Sequence, residues 1–214
     1  MIKINKANVP PEYTEWLREY TRSHKRSPKY NDIPQYYKEN LKNNLIQEQK
    51  GLCCYCCGSI GNNESHIEHF YPQELCKIEN IRLQTDYRNL FISCNGFSCG
   101  FIVNGQIETC GHRKKNEYNE NLISPIDEFC ESYFSYTSDG RIMPKDDNQK
   151  AKTTISILGL DDYALNQARK SALEAIDYFE ESYDKEAARF LSRNEDEQGR
   201  LMPYCNIIRY FTSE

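Results

Sequence analysis

The spacing of apolar residues predicts helices at both ends of the chain. Near the start, a helix is predicted over residues 10–22, because aromatic and aliphatic side chains recur there at helical spacing after two prolines: Tyr13, Trp16, Leu17 and Tyr20. A second helix is predicted over 35–49, where Gly51 follows its end as a suitable C-cap. Residues 151–195 are predicted to be helical, with Asp161-Asp162 as the capping residues at the helix entry. Residues 196–214 are predicted to end in a packed helix.

Short extended segments lie between these helical ends. One strand is predicted from His66 to Phe70, because Pro72 then stops it, and Leu90-Phe91-Ile92 is a second short apolar run. A further strand is predicted over Tyr133–Tyr136. The pattern therefore favours the α+β class, with a helical N-terminal segment 1–50, a central core 51–125 and a helical C-terminal region 126–214.

Composition restricts the cellular setting. The chain has 214 residues, and 38% of them are hydrophobic, with 16 tyrosines and 9 phenylalanines that can build a core. No apolar run approaches the roughly 18–20 residues of a membrane span, and the first residues lack the apolar segment of a secretory signal. We therefore expect a cytoplasmic protein without a membrane partner, whose reduced thiols favour metal binding over disulfides.

Residues 51–116 carry most of the ten cysteines and three of the four histidines. Cys53 and Cys56 are spaced so that a tight turn can point both sulfurs at one ion, and the pair Cys54 and Cys57 has the same spacing. A second pair must come from Cys94 with Cys99 or Cys110. The pattern predicts a structural zinc site.

Glu68 and His69 lie between these cysteines. Neighbouring side chains of a strand point to opposite faces, so a carboxylate and an imidazole meet at one site only if the backbone bends or bulges. A magnesium site needs oxygen ligands, and a histidine whose pKa is near neutrality can take a proton from water. His66, on the same strand, is interpreted as an outward-facing polar residue.

Together these motifs resemble a known family. Cys-x-x-Cys, then Glu-His-x-x-Pro, Asn89-Leu90, and a late cysteine before Gly-His-x-Lys are similar to the HNH endonucleases, which have a ββα-metal fold. More narrowly, His66–Pro72, Asn89–Cys94 and Cys110–Lys115 resemble the PtuB-like HNH subunit of retron and Septu-type antiphage systems. The resemblance covers residues 48–175 and makes 51–125 a zinc-stapled ββα-metal (HNH) core embedded in mainly helical segments.

The resemblance implies roles for individual residues. The family pattern Cys-x-Tyr-Cys selects Cys53 and Cys56 as zinc ligands, and Cys94 with Cys110 as the second pair, with Cys99 as the alternative. It makes His69 the general base, Glu68 a ligand of the catalytic metal, and Asn89 the residue that holds the loop and orients the base. The family places its last metal-binding His or Asn directly after the final cysteine. Gly111 stands there, so His112 is the expected second metal ligand, and Asn116 is the alternative.

The implied function is that of a metal-dependent endonuclease, the effector of an antiphage system. It would hydrolyse phosphodiester bonds of nucleic acid, with DNA favoured as the substrate and RNA left open. Zn²⁺ would be the structural ion and Mg²⁺ or Mn²⁺ the catalytic one. The implied partner is a PtuA-like ATPase subunit, and a retron reverse transcriptase with its msDNA is left open as a further partner. Two alternatives remain: a catalytically inactive zinc-stapled adaptor, and a redox protein built on residues 53–57.

The charge distribution is compatible with such an enzyme. The formal net charge is −5, whereas nucleic-acid binding usually requires a basic surface. Basic residues cluster over 18–29 and at Arg113-Lys114-Lys115, which could meet phosphates. A weakly basic groove on an acidic body fits a nuclease that relies on a partner for binding, and solvated helix faces explain the pattern equally well.

Overall fold

The structure is a computed structural model that describes residues 1–96 and 108–213. Both predicted N-terminal helices are confirmed, as α1 (Pro11–His24) and α2 (Gln35–Glu48). The centre holds β1 (Ser65–His69), α3 (Gln73–Glu79), β2 (Leu90–Cys94) and α4 (Cys110–Lys114). Cys99 lies outside the described residues.

The two central strands form an antiparallel pair that is regular from end to end. Ser65 faces Cys94 and His69 faces Leu90, with every residue between them paired. All of β2 is buried, and short 3-10 turns over Ile81–Gln84 and Tyr87–Asn89 lead into it. Because the pairing has no bulge, Glu68 and His69 point to opposite faces of β1.

A tight turn over residues 51–59, the cysteine turn, docks beside this pair. The Cys53 amide donates to the Gly58 carbonyl over 2.9 Å, which closes the turn. The Cys54 amide donates to the Ile92 carbonyl of β2 over 3.0 Å. Gln49, at the end of α2, fastens the turn to β2: its amide nitrogen donates to the carbonyls of Leu52 and Ile92. The cysteine turn is thus hydrogen-bonded to β2, the second strand of the pair.

The C-terminal region begins with a strand pair. β3 (Phe134–Tyr136) confirms the predicted strand and pairs with β4 (Ile142–Pro144). The long helical stretch consists of α5 (Gln149–Leu158), α6 (Tyr163–Glu174) and α7 (Lys185–Arg193), and α8 (Cys205–Thr212) follows. The single span expected over 151–195 is therefore interrupted, because Gly159 ends α5 with a positive φ and Asp162 and Asp184 cap new helices.

One hydrophobic core contains residues of all three predicted segments. Tyr13, Phe91, Leu158 and Ile208 belong to the same buried cluster. Backbone hydrogen bonds also join the segments, from the Ile4 amide to the Pro125 carbonyl and from the Tyr204 amide to the Cys57 carbonyl. The boundaries at residues 50 and 125 stay a prediction. Within the described ranges, no helix combines the length and apolar character that crossing a bilayer requires.

Candidate metal centre and the adjoining strand site

Four buried cysteine sulfurs lie close together. Those of Cys53, Cys56, Cys94 and Cys110 are all within 4.8 Å of one another, and Cys56 and Cys94 are 3.9 Å apart. A tetrahedral zinc site with Zn–S bonds of about 2.3 Å has sulfurs about 3.8 Å apart, so the cluster has the right size. The predicted grouping of these four residues is confirmed.

Backbone amides donate hydrogen bonds to two sulfurs of this cluster. The Cys94 amide donates to the Cys53 sulfur over 3.4 Å, and the Gly58 amide donates to the Cys56 sulfur over 3.3 Å. Burial alone would raise the pKa of the Cys53 thiol, but hydrogen bonds from Cys110 and the other neighbouring thiols hold that pKa well below its usual value. Such contacts are those that tune thiolate ligands in metal sites.

The remaining cysteines of the turn do not join the cluster. Cys54 packs into the main core, and Cys57 packs beside Ile2, Leu52 and Cys205 in a small second cluster. No disulfide forms among the described cysteines. The four cysteines over 53–57 therefore divide into two that belong to the sulfur cluster, Cys53 and Cys56, and two that pack in apolar surroundings, Cys54 and Cys57.

Glu68 occupies the face of β1 that looks toward α4. Its Oε1 accepts hydrogen bonds from the Tyr55 hydroxyl at 3.0 Å and is 2.8 Å from the Lys114 ammonium. Its Oε2 lies 3.5 Å from His66 Nε2. Burial by itself raises the pKa of the Glu68 carboxyl, but His66 and Lys114 outweigh it and lower that pKa. The carboxylate is therefore buried and charged, with one oxygen doubly engaged.

His69 occupies the opposite face, and its tautomer can be assigned from its partners. Its Nε2 lies 2.9 Å from the Gln84 carbonyl oxygen, which can only accept, so Nε2 carries the proton. Nδ1 then holds the lone pair and accepts from the Gln73 side-chain amide at 3.3 Å. Burial lowers the pKa of His69, and Tyr30 packs edge-on against its ring at 4.7 Å. The ring is neutral and fixed.

Asn89 fastens the loop that holds His69. Its side-chain oxygen accepts from the Tyr71 amide at 2.7 Å, and its nitrogen donates to the carbonyls of Tyr71 and Leu83 at 3.0 and 2.9 Å. Leu83 directly precedes Gln84, whose carbonyl accepts from His69. Asn89 therefore joins the end of β1 to the segment that sets the orientation of the imidazole.

The other predicted site residues lie around α4. The His112 ring packs edge-on against the His66 ring, with 4.8 Å between centroids, so His112 is on the Glu68 face. Burial lowers the pKa of His112. Asn116 is exposed in the turn after α4. The structure thus gathers Glu68, His66 and His112 on one face of β1 and places His69 and Asn89 on the other.

Two residues of this site were missed by the sequence interpretation. Lys114 was expected to meet phosphates, but only 1% of it is exposed and it pairs with Glu68, while Arg113 donates to the Ser156 carbonyl. His66 was interpreted as outward-facing, yet it contacts Glu68. Residues 66 and 68 have the same parity on β1, and that signal could have placed His66 on the face of Glu68.

The cysteine cluster, the strand pair and the short helix α4 define a mixed α+β protein with a site suited to zinc. No protein-family model matches the chain. The chain is 30% identical over 187 residues to a candidate HNH endonuclease of retron Vc95 from Vibrio cholerae serotype O1 biovar El Tor, a match that covers 83% of this chain and 85% of that protein. The chain therefore belongs to the family of retron-associated HNH endonucleases.

Proposed function

We propose that this protein is a metal-dependent endonuclease that hydrolyses phosphodiester bonds, and that β1, β2 and α4 are its ββα-metal (HNH) core. The observation that carries this proposal is the arrangement around β1. A neutral, oriented imidazole lies on one face and a buried, charged carboxylate on the other, in consecutive residues. Family membership supports a nuclease role.

His69 is the proposed general base. Its proton on Nε2 is held by the Gln84 carbonyl, so the lone pair of Nδ1 is free to accept a proton from water. The Gln73 amide donates to that atom in this structure, and an attacking water would take the place of this donor. Asn89, through Leu83 and Tyr71, keeps the loop and therefore the ring in place.

Glu68 is the proposed carboxylate ligand of Mg²⁺ or Mn²⁺. The second proposed protein ligand is an imidazole on the same face of β1, for which the sequence suggests His112. A bound divalent ion stabilises the charge that develops on the phosphate and the leaving oxygen. Because Glu68 and His69 diverge, the scissile phosphate must lie across the edge of β1, where both side chains are within reach. Asn116, exposed beyond α4, remains the alternative ligand.

Zinc on the four cysteines is proposed to stabilise this core. Cys94 ends β2 and Cys110 begins α4, so one ion would join the cysteine turn, the strand pair and the helix. A strand pair and a helix of this size bury little apolar surface by themselves, and metal binding supplies folding free energy in such units. Bound zinc would hold α4, and with it Lys114, in place against Glu68 of β1.

The cellular role proposed is that of an antiphage effector in the cytoplasm, acting on DNA together with a PtuA-like ATPase of Septu type. The retron relative supports a setting with a reverse transcriptase and its msDNA. The net charge of −5 favours a nuclease that obtains part of its nucleic-acid binding from such a partner.

The test measures cleavage of labelled DNA and RNA by zinc-loaded wild type and by His69→Ala, in Mg²⁺ or Mn²⁺. Each protein is assayed alone and with the partner proteins that co-purify from cells. We expect cleavage by the wild type and a loss of at least about 100-fold in His69→Ala, since general-base catalysis contributes about 10²–10⁴-fold. His24→Ala is the matched control, because His24 is an exposed histidine at the end of α1.

Zinc content and melting temperature, measured on each variant, separate a catalytic loss from misfolding. Equal cleavage by wild type and a folded His69→Ala would refute the base assignment. Absence of divalent-dependent cleavage in every preparation would refute the endonuclease itself.

A binding or adaptor function is the second candidate, and one observation favours it. The Lys114 ammonium already neutralises Glu68, with both side chains buried. Stoichiometric zinc and stable partner binding without any cleavage would support the adaptor over the enzyme.

A further inference from the structure

Gly111 is a glycine because its surroundings leave no room for a side chain. A Cβ at this position would lie 2.7 Å from Glu68 Oε2, 2.7 Å from His66 Nε2 and 3.0 Å from Ser93 Oγ. The backbone does not demand glycine there, since Gly111 is helical and is absent from the positive-φ positions. The space that a residue 111 side chain would enter is filled by the side chains of Glu68 and His66.

The His66 ring is oriented for binding a cation through Nε2. Its Nδ1 lies 3.2 Å from the side-chain oxygen of Asn95, an acceptor that holds the proton on Nδ1. Nε2 faces Glu68 Oε2 at 3.5 Å, and a cation bound between these two atoms would take the place of a proton that Nε2 shares with the carboxylate. Metal-binding histidines are typically held in this manner, with the second ring nitrogen donating to an oxygen.

The two oxygens of the Glu68 carboxylate have different neighbours. Tyr55 and Lys114 occupy Oε1, while Oε2 faces His66 and Gly111. Two ligand atoms 3.5 Å apart can share one cation at about 2.1 Å from each. A mixed imidazole and carboxylate pair suits Mn²⁺, and waters and substrate phosphates complete the coordination of such ions.

We propose that His66 and Glu68, both on β1, hold the divalent cation of the proposed endonuclease, and that His66 fills the place usually taken by a ligand at position 111. The inference rests on the proposed function, since the cation is the catalytic one. It replaces His112 as the imidazole ligand, and His112 packs against the His66 ring as a supporting residue.

The test titrates zinc-loaded protein with Mn²⁺ and examines the bound ion by pulsed electron paramagnetic resonance, which detects a directly bound imidazole nitrogen. The variants are His66→Ala, His112→Ala and the exposed control His24→Ala. We expect His66→Ala to lose the nitrogen coupling and to weaken Mn²⁺ binding by at least about tenfold, since ligand-shell changes cost about 10–100-fold. His112→Ala and His24→Ala should keep the coupling.

A second pair of variants tests the space at Gly111. Gly111→Ala should displace His66 and weaken Mn²⁺ binding, because its Cβ would crowd both ligand atoms. The double variant His66→Ala with Gly111→Asn relieves the contact with His66 and offers an amide ligand from the helix, while the Glu68 side chain must still shift to admit the new Cβ. It should therefore regain part of the binding that His66→Ala loses, without an imidazole coupling. Zinc content confirms that each variant is folded.

Nitrogen coupling that persists in folded His66→Ala, or its absence in wild type, would overturn the ligand assignment. If wild type binds Mn²⁺ through other ligands and still cleaves nucleic acid, the ligand assignment fails and the endonuclease stands. If wild type neither binds Mn²⁺ nor cleaves, both proposals fail.

Discussion

Lys114 shows how a charge that looks solvent-exposed in the sequence can become part of a buried site. It lies between Arg113 and Lys115, and Lys115 behaves as the run suggests, pairing at the surface with Glu108. Lys114 instead points inward, donates to the His69 carbonyl at 2.9 Å and pairs with Glu68 at 2.8 Å. It therefore contacts both residues of the proposed catalytic pair.

We expect Lys114→Met to destabilise the zinc-loaded protein by about 3–5 kcal/mol, because it leaves the buried Glu68 charge without its ammonium partner. Lys115→Met, which breaks only an exposed ion pair, should change the free energy of unfolding by less than about 1 kcal/mol. Urea denaturation of both variants measures the difference. Similar stabilities for the two variants would show that the buried pair is not an important stabilising contact.

Asn89 permits a sharper comparison, because its amide both donates and accepts. We expect Asn89→Ala to destabilise by about 2–3 kcal/mol, since it leaves buried backbone groups of Tyr71 and Leu83 unpaired. Asn89→Asp should be no better despite its equal size, because a carboxylate oxygen would face two carbonyl oxygens. Denaturation curves give both values, and wild-type stability in Asn89→Asp would contradict the assigned amide orientation.

At the scale of elements, the sulfur cluster needs the end of one strand and the start of one helix, both of which lie far from the cysteine turn in sequence. Cys94 is the last residue of β2 and Cys110 the first of α4. Neither can meet Cys53 and Cys56 unless β2 lies along the turn, and the Gln49 side chain, which also accepts from the Ile92 amide at 2.7 Å, holds it there.

We expect about one zinc per chain in wild type and far less in Cys53→Ser, Cys56→Ser, Cys94→Ser or Cys110→Ser, with partial unfolding, because structural zinc contributes directly to folding. Cys54→Ser is the matched control within the same turn and should retain zinc. A chromogenic chelator assay measures zinc per chain. Full zinc in any of the four ligand variants would remove that cysteine from the site.

A basic segment over residues 22–29 begins in the last turn of α1. Tyr30 follows it, contacts the His69 ring and donates from its amide to the Gln84 side chain at 3.1 Å. Arg22, Lys25 and Lys29 are exposed along this segment. We expect exposed cations that precede Tyr30 in the chain to meet phosphates that flank the scissile bond.

Reversing these three charges to glutamate should weaken DNA binding by at least about tenfold at low salt. The slope of log K against log salt should fall by about one for each phosphate that the variant no longer binds. The control reverses three exposed cations of the C-terminal region, Lys145, Lys185 and Arg193. Fluorescence anisotropy at several salt concentrations measures both quantities. An equally weakened control would indicate a general charge effect rather than a local interaction.

At the scale of the whole molecule, the C-terminal region supports the metal centre. Tyr204 donates from its amide to the Cys57 carbonyl at 2.7 Å, and Leu201 donates to the Lys50 carbonyl at 3.0 Å. The Arg200 guanidinium donates to Ser59 Oγ at 3.0 Å. The cysteine turn is thus held between the N-terminal helices and α8.

Because one core joins these parts, we expect zinc release and loss of helical signal to coincide on heating, as in a cooperative unit. Ile208→Ala, a buried substitution in α8 and distant from the cysteines in sequence, should cost about 2–5 kcal/mol and shift both transitions together. Circular dichroism and a zinc-sensitive dye follow the two signals. Zinc release at an unchanged temperature in this variant would show that the regions unfold separately.

The sequence by itself determined the local elements and the set of cysteines from which a zinc site could be built. Apolar spacing at 3.6 residues places α1 and α2, a proline precedes each helix and Gly51 follows α2, and these signals act within a few residues. Spacing alone left Cys53 with Cys56 and Cys54 with Cys57 open. The family resemblance selected Cys53, Cys56, Cys94 and Cys110, and the structure brings these four sulfurs together. The break at Gly159 shows that a local cap overrode a continuing apolar stripe.

Only the tertiary structure decided which charges and rings share a face. The burial of Lys114, the contact of His66 with Glu68 and the separation of Glu68 from His69 all depend on the unbulged pairing of β1 with β2 and on the position of α4. Sequence spacing carries no information about a partner 46 residues away, such as Lys114 for Glu68. The free energy of burying those groups depends on neighbours that only folding provides.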